Sequence, residues 1–288
     1  MRLPTPLLRR DPKAHKNQFG HVLVLAGSPA MLGAAALCSL AAMRTGAGLV
    51  TVGIPRSLNT ALQKKLSPVV MTWPLPQTAS GSLSAAAQTT LEKNFTKFSV
   101  IAVGPGLSQN PGTQRLIRAL IARAPIPLVI DADGLNALIG HLPLLQKTST
   151  LKILTPHPGE MARLTGKPTG EREEQRRILA RQFAQQHGCI LLLKGHRTII
   201  ASPDGRTVVN TTGNSGLAKA GSGDVLTGMI AALVAQRVEG FAAATWGAYL
   251  HGRAADLAVR KIPAAALIAS DLLDYIPAAL RGCTVSRK

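Results

Sequence analysis

Short apolar runs alternate with longer amphipathic segments through the first two thirds of this 288-residue chain. The strand-like runs cover residues 21–26, 49–53, 100–103, 128–131, 153–155 and 190–194. Helix-like segments separate several of them, at residues 31–44, 113–123, 136–145 and 171–187. Strands that alternate with helices form a mostly parallel sheet with helices packed on both faces. The sequence therefore predicts a three-layer α/β/α sandwich.

The pattern changes after residue 194. Two short runs at residues 198–201 and 207–210 flank a Pro-Asp-Gly turn, which predicts an antiparallel hairpin at the edge of the sheet. Helical patterns follow at residues 225–236, 240–260 and 270–280. Residues 72–84 are interpreted as a surface loop, and residues 281–288 as a frayed tail. No linker interrupts the chain, so residues 1–288 are expected to form a single domain.

The net charge of +19 raises the question of nucleic-acid binding, because 33 Lys and Arg oppose only 14 Asp and Glu. The basic residues are scattered along the whole chain. Only five Phe, two Tyr and two Trp are available to stack on bases, and no known nucleic-acid-binding motif is present. The charge therefore favours a basic surface that attracts anionic ligands. A nucleotide- or nucleic-acid-binding module remains the non-enzymatic alternative.

The cysteine pattern and the lack of long apolar runs limit the location of the protein. Cys38, Cys189 and Cys283 show no metal-binding or redox spacing, and the seven histidines form no His-Glu-x-x-His motif. No apolar run reaches the roughly 18 residues of a membrane helix, and residues 1–16 lack the apolar core of a secretory signal. We expect a reduced, cytoplasmic protein with no membrane contact.

The most informative motif is residues 213–224, Gly-Asn-Ser-Gly-Leu-Ala-Lys-Ala-Gly-Ser-Gly-Asp, which leads directly into an apolar run. A Gly-rich loop that opens a helix is an anion site, because the first N–H groups are unpaired and the helix dipole is positive there. An acidic residue is unexpected at a site that only binds phosphate. It is explained if Asp224 takes a proton from a hydroxyl group that attacks phosphorus. A charge favoured by the helix dipole is the simpler alternative.

Four further loops, residues 26–34, 104–107, 131–136 and 155–160, follow predicted strands. Ligands of an open α/β sheet bind beyond the carboxyl ends of its strands. The common phosphate motifs are absent: there is no Gly-x-x-x-x-Gly-Lys-[Ser/Thr], and Gln109 stands where a dinucleotide fingerprint needs its third glycine. The loops are therefore candidates for another kind of nucleotide site.

Several charged residues of these loops have two interpretations each. His157 lies between two prolines and is either a ligand-binding or a structural histidine. Glu160 is either a helix cap or a metal ligand through water. Asp131 and Asp133 end a strand and are candidates for metal or ribose contacts. Lys194 ends an apolar strand, so it either needs a buried or phosphate partner or extends to water.

The combination of motifs resembles the ADP/ATP-dependent NAD(P)H-hydrate dehydratases of the ribokinase-like superfamily. The motifs are the Gly-rich loop, Asp-Ala-Asp-Gly-Leu-Asn, Thr-Pro-His-Pro-Gly-Glu and Leu-Lys-Gly-x-x-Thr, and the resemblance covers about residues 15–280. It implies a ribokinase-like sandwich and a lyase that repairs nicotinamide cofactors. The implied substrate is the S epimer of NADHX or NADPHX. ADP or ATP phosphorylates its C6 hydroxyl group, and elimination of phosphate restores NADH or NADPH.

The resemblance also implies a set of site residues. The implied catalytic base is Asp224, and the implied anion hole consists of the N–H groups of Gly221, Ser222 and Gly223. The residues implied to contact the hydrated cofactor are Ala34, Gly104, His157 and Asp224. Those implied to contact the adenine nucleotide are Lys194, Gly195, His196, Arg197, Thr198 and Gly223. Glu160 and Asn214 are candidates for ordering Mg²⁺ and phosphate.

The resemblance sets further expectations. Many members of the family are fused to an N-terminal epimerase domain, which this chain is expected to lack, so an NAD(P)HX epimerase is the expected functional partner. A homotetramer is expected, with the Ala-rich residues 241–258 as a candidate interface. Asn17, His196 and Arg197 depart from the family pattern. The alternative is a ribokinase-like kinase of a small alcohol, such as a thiazole or hydroxymethylpyrimidine, which would use the same Gly-x-Gly-Asp machinery.

Overall fold

The computed structural model describes residues 10–281, and within this range the chain forms a nine-stranded sheet and ten α-helices. The strands are β1 (His21–Leu25), β2 (Leu49–Pro55), β3 (Met71–Leu75), β4 (Val100–Val103), β5 (Leu128–Ile130), β6 (Lys152–Leu154), β7 (Ile190–Leu193), β8 (Ile199–Ala201) and β9 (Thr207–Val209). The helices are α1 (Leu32–Arg44), α2 (Asn59–Gln63), α3 (Gln88–Glu92), α4 (Pro111–Arg123), α5 (Asp133–Asn136), α6 (Pro158–Thr165), α7 (Glu173–His187), α8 (Ser222–Ala235), α9 (Gly240–Ala258) and α10 (Ala269–Arg281).

The strand order is β3-β2-β1-β4-β5-β6-β7-β8-β9. The first seven strands run parallel, and β8 and β9 are antiparallel to their neighbours. This arrangement confirms the predicted parallel sheet with an edge hairpin. The hairpin forms at the Pro-Asp-Gly turn because that turn allows β8 and β9 to pair directly.

Helices cover both faces of the sheet and form two apolar cores. Side chains alternate along a strand, so Val22 and Val24 of β1 join one core, whereas Leu23 and Leu25 join the other. The first core contains residues of α1, α2, α8, α9 and α10. The second contains residues of α3 to α7. The three-layer sandwich predicted from the sequence is therefore confirmed.

Two local predictions are wrong. Residues 72–84 were expected to be a loop, but β3 occupies their first part and pairs with β2. Pro74 is tolerated because β3 is an edge strand, where a missing N–H group breaks no ladder. The expected helix at residues 136–145 is replaced by the end of α5 and a 3-10 turn at Leu142–Gln146. Gly140, with a φ of 73°, and Pro143 interrupt the helical pattern.

Helix α9 belongs to the core of the chain itself. Most of its side chains are buried against α8 and α10, so the expectation that residues 241–258 form a subunit interface is wrong. In the described range, 10–281, no helix is both long and apolar enough to span a bilayer. The predicted tail lies outside the described residues from position 282 onward.

The strand order creates a crevice at one edge of the sheet. From β1 the chain moves outward to β2 and β3, and it then crosses back to β4 on the other side of β1. The loops after β1 and β4 therefore leave in opposite directions. In open α/β sheets such a switch point is where ligands bind.

Candidate active site

A cleft of three adjoining cavities runs along the carboxyl edge of the sheet. The switch-point cavity, of about 490 Å³, lies between the loops after β1, β4 and β5, and its lining includes Ala34, Asp133, Glu160, Gly221 and Asp224. The central cavity, also of about 490 Å³, has a lining that includes His157, Lys194, Lys219, Ser222 and Gly223. The outer cavity, of about 530 Å³, is bordered among others by Gly195, His196, Arg197, Thr198 and Asn214. Neighbouring cavities share lining residues, so two ligands can meet in the cleft.

The first turn of α8 separates the switch-point and central cavities. Gly221 precedes it with a φ of 90°, and a Cβ atom there would lie 2.7 Å from Leu37 Cδ1. The Ser222 N–H group donates to the Lys219 carbonyl at 3.4 Å. The N–H groups of Gly223 and Asp224 have no acceptor among residues 10–281. These two donors, at the positive end of the helix, are available to an anion.

The carboxyl group of Asp224 occupies this turn and faces the switch-point cavity. Burial raises its pKa to about 7, with further increases from the charges of Asp131 and Glu160, while Lys194 lowers it. A base that titrates near neutral pH combines a useful ionised fraction with good proton affinity. Asp224 is thus suited to accept a proton from a ligand in this cavity.

Lys194 extends from the end of β7 to the same turn. Its Nζ lies 2.8 Å from Asp131 Oδ1 and 3.6 Å from Glu160 Oε2. Burial alone would lower the pKa of the Lys194 ammonium, but Asp131, Glu160 and Asp224 raise it overall. A Cβ atom on Gly223 would lie 3.3 Å from Nζ, so the ammonium group contacts the start of α8. The cation and the free N–H groups therefore form one anion-binding locus.

Asp131 is the buried anchor of this locus. Its Oδ2 accepts a hydrogen bond from Thr227 Oγ1 at 2.8 Å, and its Oδ1 accepts one from Lys194. Asp133 accepts bonds from the Ser108 N–H group at 2.8 Å and from Asn136 Nδ2 at 3.1 Å. Both carboxylates are engaged by the protein, which favours structural roles over the metal or ribose contacts considered from the sequence.

His157 and Glu160 cap the start of α6 beside Lys194. The His157 N–H group donates to Glu160 Oε2 at 2.8 Å, and the Gly159 N–H group donates to His157 Nδ1 at 3.0 Å. This reciprocal capping satisfies donors that the helix leaves unpaired. The capping bond also holds Glu160 near Lys194. Glu160 therefore caps α6 and pairs with the Lys194 ammonium group at the same time.

The loop at residues 194–198 is held from behind by α7. Arg176 Nη1 donates to the His196 carbonyl at 2.8 Å, and its Nη2 donates to the Lys194 carbonyl at 3.5 Å. Arg197 forms an ion pair with Glu173 at the start of α7. Arg197 has a φ of 55°, which is uncommon for a residue with a side chain. Two residues of α7, Arg176 and Glu173, thus hold the shape of this loop.

The remaining predicted residues lie in separate places. Ala34 lines the switch-point cavity together with Asp224. Gly104 is buried, and a Cβ atom there would lie 1.8 Å from the Asp131 carbonyl oxygen. Asn214 lines the outer cavity, where its Nδ2 donates to Asp256 Oδ1 at 3.0 Å. The two candidate metal residues, Asn214 and Glu160, are therefore on different cavities.

The donor set fits Mg²⁺ only as an ion brought in by phosphates. Among residues 10–281 no group of three or more His, Cys, Asp or Glu side chains could hold a metal. Mg²⁺ commonly binds one or two carboxylates together with phosphate oxygens and water. Glu160 is a suitable carboxylate, since it lies beside the anion locus. Asn214 is not brought to that locus.

Three contributors to the site were not recognised from the sequence: Asp131 as the partner of Lys194, Thr227 and Arg176. The only signal was Lys194 at the end of an apolar strand. Its charge indicated a buried partner, but the sequence did not show which residue that partner is. Arg176 donates hydrogen bonds to backbone carbonyls. Every residue has a carbonyl group, so the sequence does not show which one an arginine binds.

Comparison with solved structures identifies the fold class first. A ribokinase-like superfamily protein from Enterococcus faecalis has a TM-score of 0.79 at 23% identity, covering 98% of this chain and 95% of that chain. Phosphofructokinase-2 from Escherichia coli has a TM-score of 0.60 at 14% identity, covering 91% and 99%. The fold is therefore ribokinase-like, as the sequence predicted.

The family is identified by closer matches. The profile of the NAD(P)H-hydrate dehydratase family matches residues 22–278, and the chain belongs to this family. The ADP/ATP-dependent NAD(P)H-hydrate dehydratase from Bacillus subtilis, co-crystallised with ATP/Mg²⁺, has a TM-score of 0.79 at 32% identity, covering 96% of this chain and 94% of that chain. The resemblance predicted from the motifs is thereby confirmed.

Curated relatives extend the comparison. A bifunctional NAD(P)H-hydrate repair enzyme from Moorella thermoacetica is 46% identical over 275 residues, which are 96% of this chain and 52% of the relative. The ADP-dependent (S)-NAD(P)H-hydrate dehydratase from B. subtilis is 36% identical over 271 residues, 94% of this chain and 92% of the relative. The chain thus spans about half the length of the bifunctional relatives.

Proposed function

We propose that this protein uses ADP or ATP to dehydrate the S epimer of NADHX or NADPHX to NADH or NADPH. The observation that supports this best is the arrangement around the first turn of α8. A carboxyl group with a pKa of about 7 stands beside two free N–H groups and a half-buried ammonium group. A base next to an anion site is what phosphorylation of a hydroxyl group requires.

The chemistry follows from these positions. Asp224 takes the proton of the C6 hydroxyl group as its oxygen forms a bond to the terminal phosphorus of the nucleotide. The bond from that phosphorus to the leaving nucleotide breaks, so ADP becomes AMP, or ATP becomes ADP. The N–H groups of Gly223 and Asp224, with Lys194, stabilise the charge on the transferred group. The C6–O bond then breaks, the neighbouring carbon loses a proton, and phosphate leaves as the ring double bond returns.

The cavities support one orientation of the two substrates. Ala34 and Asp224 border the switch-point cavity, which supports binding of the hydrated nicotinamide ring there. The adenine nucleotide then occupies the outer and central cavities, against residues 194–198. His157 borders the central cavity, near the point where the substrates meet. Gly104 contributes by allowing the loops after β4 and β5 to approach each other.

Mg²⁺ belongs to this proposal as an ion that arrives with the nucleotide. When bound, it would offset phosphate charge, and Glu160 would be a carboxylate able to hold it together with phosphate oxygens and water. The crystal form of the B. subtilis relative grown with ATP/Mg²⁺ supports this role. Asn214 is retained as a candidate for ordering phosphate, with its amide already bonded to Asp256.

We also propose an NAD(P)HX epimerase as functional partner, because relatives of about twice this length are named bifunctional repair enzymes. A homotetramer and a cytoplasmic location complete the proposal. Light scattering of the purified protein tests the tetramer, and a monomeric mass would refute it.

The direct test is absorbance of reduced nicotinamide after mixing the protein with NADHX, Mg²⁺ and either ADP or ATP. A rise with one nucleotide supports the dehydratase and identifies the phosphoryl donor. The Asp224→Asn variant serves as the matched control, since it should bind nucleotide but produce no rise. A stable phosphorylated product instead of NADH would favour the kinase of a small alcohol.

A further inference from the structure

The cleft contains more negative than positive charge where a phosphoryl group must bind. Lys194 Nζ lies 2.8 Å from Asp131 Oδ1 and 3.6 Å from Glu160 Oε2, and Asp224 lies in the first turn of α8, which Lys194 contacts. The lining of the switch-point cavity contains three carboxylates, those of Asp133, Glu160 and Asp224. A terminal phosphate carries about two negative charges near pH 7. Lys194 and a Mg²⁺ ion bound with the nucleotide would offset part of this charge, and a further side-chain cation would stabilise the phosphoryl group during its transfer.

Among the described residues 10–281, three lysine or arginine side chains line the three cavities: Lys194, Arg197 and Lys219. Lys194 pairs with Asp131, and Arg197 pairs with Glu173. Lys219 makes no ion pair with any residue in the range 10–281. Its Nζ donates instead to the carbonyl oxygen of Ala265, which is an uncharged and exposed partner. An ionic oxygen competes well against such a partner.

Lys219 is also close to the anion-binding locus in the sequence, three residues before the first residue of α8. It borders the central cavity with Lys194 and Gly223, and its carbonyl accepts the Ser222 N–H bond that starts α8. Its backbone is thereby fixed near the locus, while its exposed side chain can change rotamer. The backbone position and the uncharged partner together make the ammonium group available to a phosphate in the central cavity.

We propose that Lys219 leaves the Ala265 carbonyl and contacts the transferred phosphoryl group as a further catalytic residue. It forms and breaks no covalent bond. It offsets the charge on the phosphoryl oxygens while the phosphorus passes from the nucleotide to the C6 hydroxyl oxygen and the proton passes to Asp224. This inference rests on the proposed function.

The test compares Lys219→Met and Lys219→Arg with the wild type. Lys93→Met is the matched control, because Lys93 is also exposed but lies at the end of α3, outside the cleft. We expect Lys219→Met to lower kcat by about 100-fold, comparable to the loss of one transition-state donor. The KM for NADHX should stay unchanged, because the charge develops on the phosphoryl group. Lys219→Arg should recover part of kcat, and Lys93→Met should match the wild type.

A binding measurement keeps this inference separate from the proposed function. Calorimetry should show that Lys219→Met narrows the difference in affinity between ADP and AMP, since only ADP has the terminal phosphate. If the wild type makes no NADH, the proposed function fails, and this difference alone decides the role of Lys219. Unchanged kcat in Lys219→Met, or an unchanged ADP–AMP difference, would overturn the inference.

Discussion

The burial of the Asp224 carboxyl group gives the proposed reaction a defined pH dependence. Its pKa is raised to about 7, so protonation removes the base as the pH falls through neutrality. We expect kcat/KM to fall about tenfold per pH unit below pH 7 and to level off above it. ADP affinity in Asp224→Asn should remain near that of the wild type while turnover is lost. A rate that stays constant from about pH 8 to pH 5 would remove Asp224 as the base.

The pair formed by Lys194 and Asp131 predicts a linked effect on stability and activity. Lys194→Ala leaves the Asp131 carboxylate buried with Thr227 as its hydrogen-bond donor, which should lower the free energy of unfolding by about 3–5 kcal/mol. The double variant Lys194→Ala/Asp131→Asn no longer has the unpaired carboxylate, so it should regain much of the lost free energy of unfolding. Both Lys194→Ala and the double variant should bind ADP more weakly than the wild type, because both lack the Lys194 ammonium group. Urea unfolding and ADP titration measure the two effects.

The single variant Asp131→Asn checks the same pair from its other side. In this variant Lys194 keeps Glu160 as an ionic partner at 3.6 Å. The free energy of unfolding should therefore fall less than in Lys194→Ala. If Lys194→Ala unfolds at the same urea concentration as the wild type, the pair is not important for stability.

At the residue level, the motifs singled out Asp224 and Lys194 as candidates for the site, but they did not indicate the residues that surround them. Asp224 was singled out because a carboxylate in the first turn of a helix after a glycine-rich loop is suited to act as a base beside an anion. Asp131 lies 63 residues from Lys194 along the chain, and a single sequence holds no record of such a contact. Of the three N–H groups predicted for the anion hole, that of Ser222 donates to the Lys219 carbonyl, whereas those of Gly221 and Gly223 have no acceptor among residues 10–281.

Among the elements, long periodic helices and buried strands were predicted well, whereas short or edge elements were not. Helix α4 begins at Pro111, close to the expected start, because proline is favoured in a first turn. Strand β3 was missed because a proline in a strand is acceptable only at an edge, and the sequence does not show which strand is at the edge. The loop at residues 194–198 was predicted, but its support from α7 was not.

That support predicts the effect of Arg176→Met. Without the guanidinium group, the carbonyls of Lys194 and His196 lose their hydrogen-bond donor. The loop at residues 194–198 is then no longer held in its present conformation. We expect ADP to bind roughly tenfold more weakly, about 1.4 kcal/mol, with little change in kcat at saturating ADP.

Arg177→Met is the control for this prediction, because the neighbouring Arg177 pairs with Glu174 on the outer side of α7. Arg176→Lys should recover part of the ADP affinity. Equal ADP affinity in Arg176→Met and the wild type would show that α7 does not position the loop.

For the whole molecule, the order of the strands brings the loops of the site together. The sequence predicted a parallel sheet, and each loop was predicted separately. The order was not predictable, because a crossover from β3 to β4 passes over β2 and β1 without leaving a local signal. This order places the loops after β1, β4 and β5 around one cavity with the start of α8.

The net charge of +19 is also a property of the whole molecule, and it predicts weak nucleic-acid binding without sequence preference. Such binding comes from release of counterions, so it should fall by roughly 10³-fold or more between about 50 mM and 200 mM salt. Anisotropy with two unrelated DNA duplexes of equal length measures it, and both should give the same salt dependence. ADP should retain more of its affinity, because Lys194 and the N–H groups of α8 lie in a cleft where charges are screened less. Tight binding to one duplex at physiological salt would instead restore the nucleic-acid-binding module as a serious alternative.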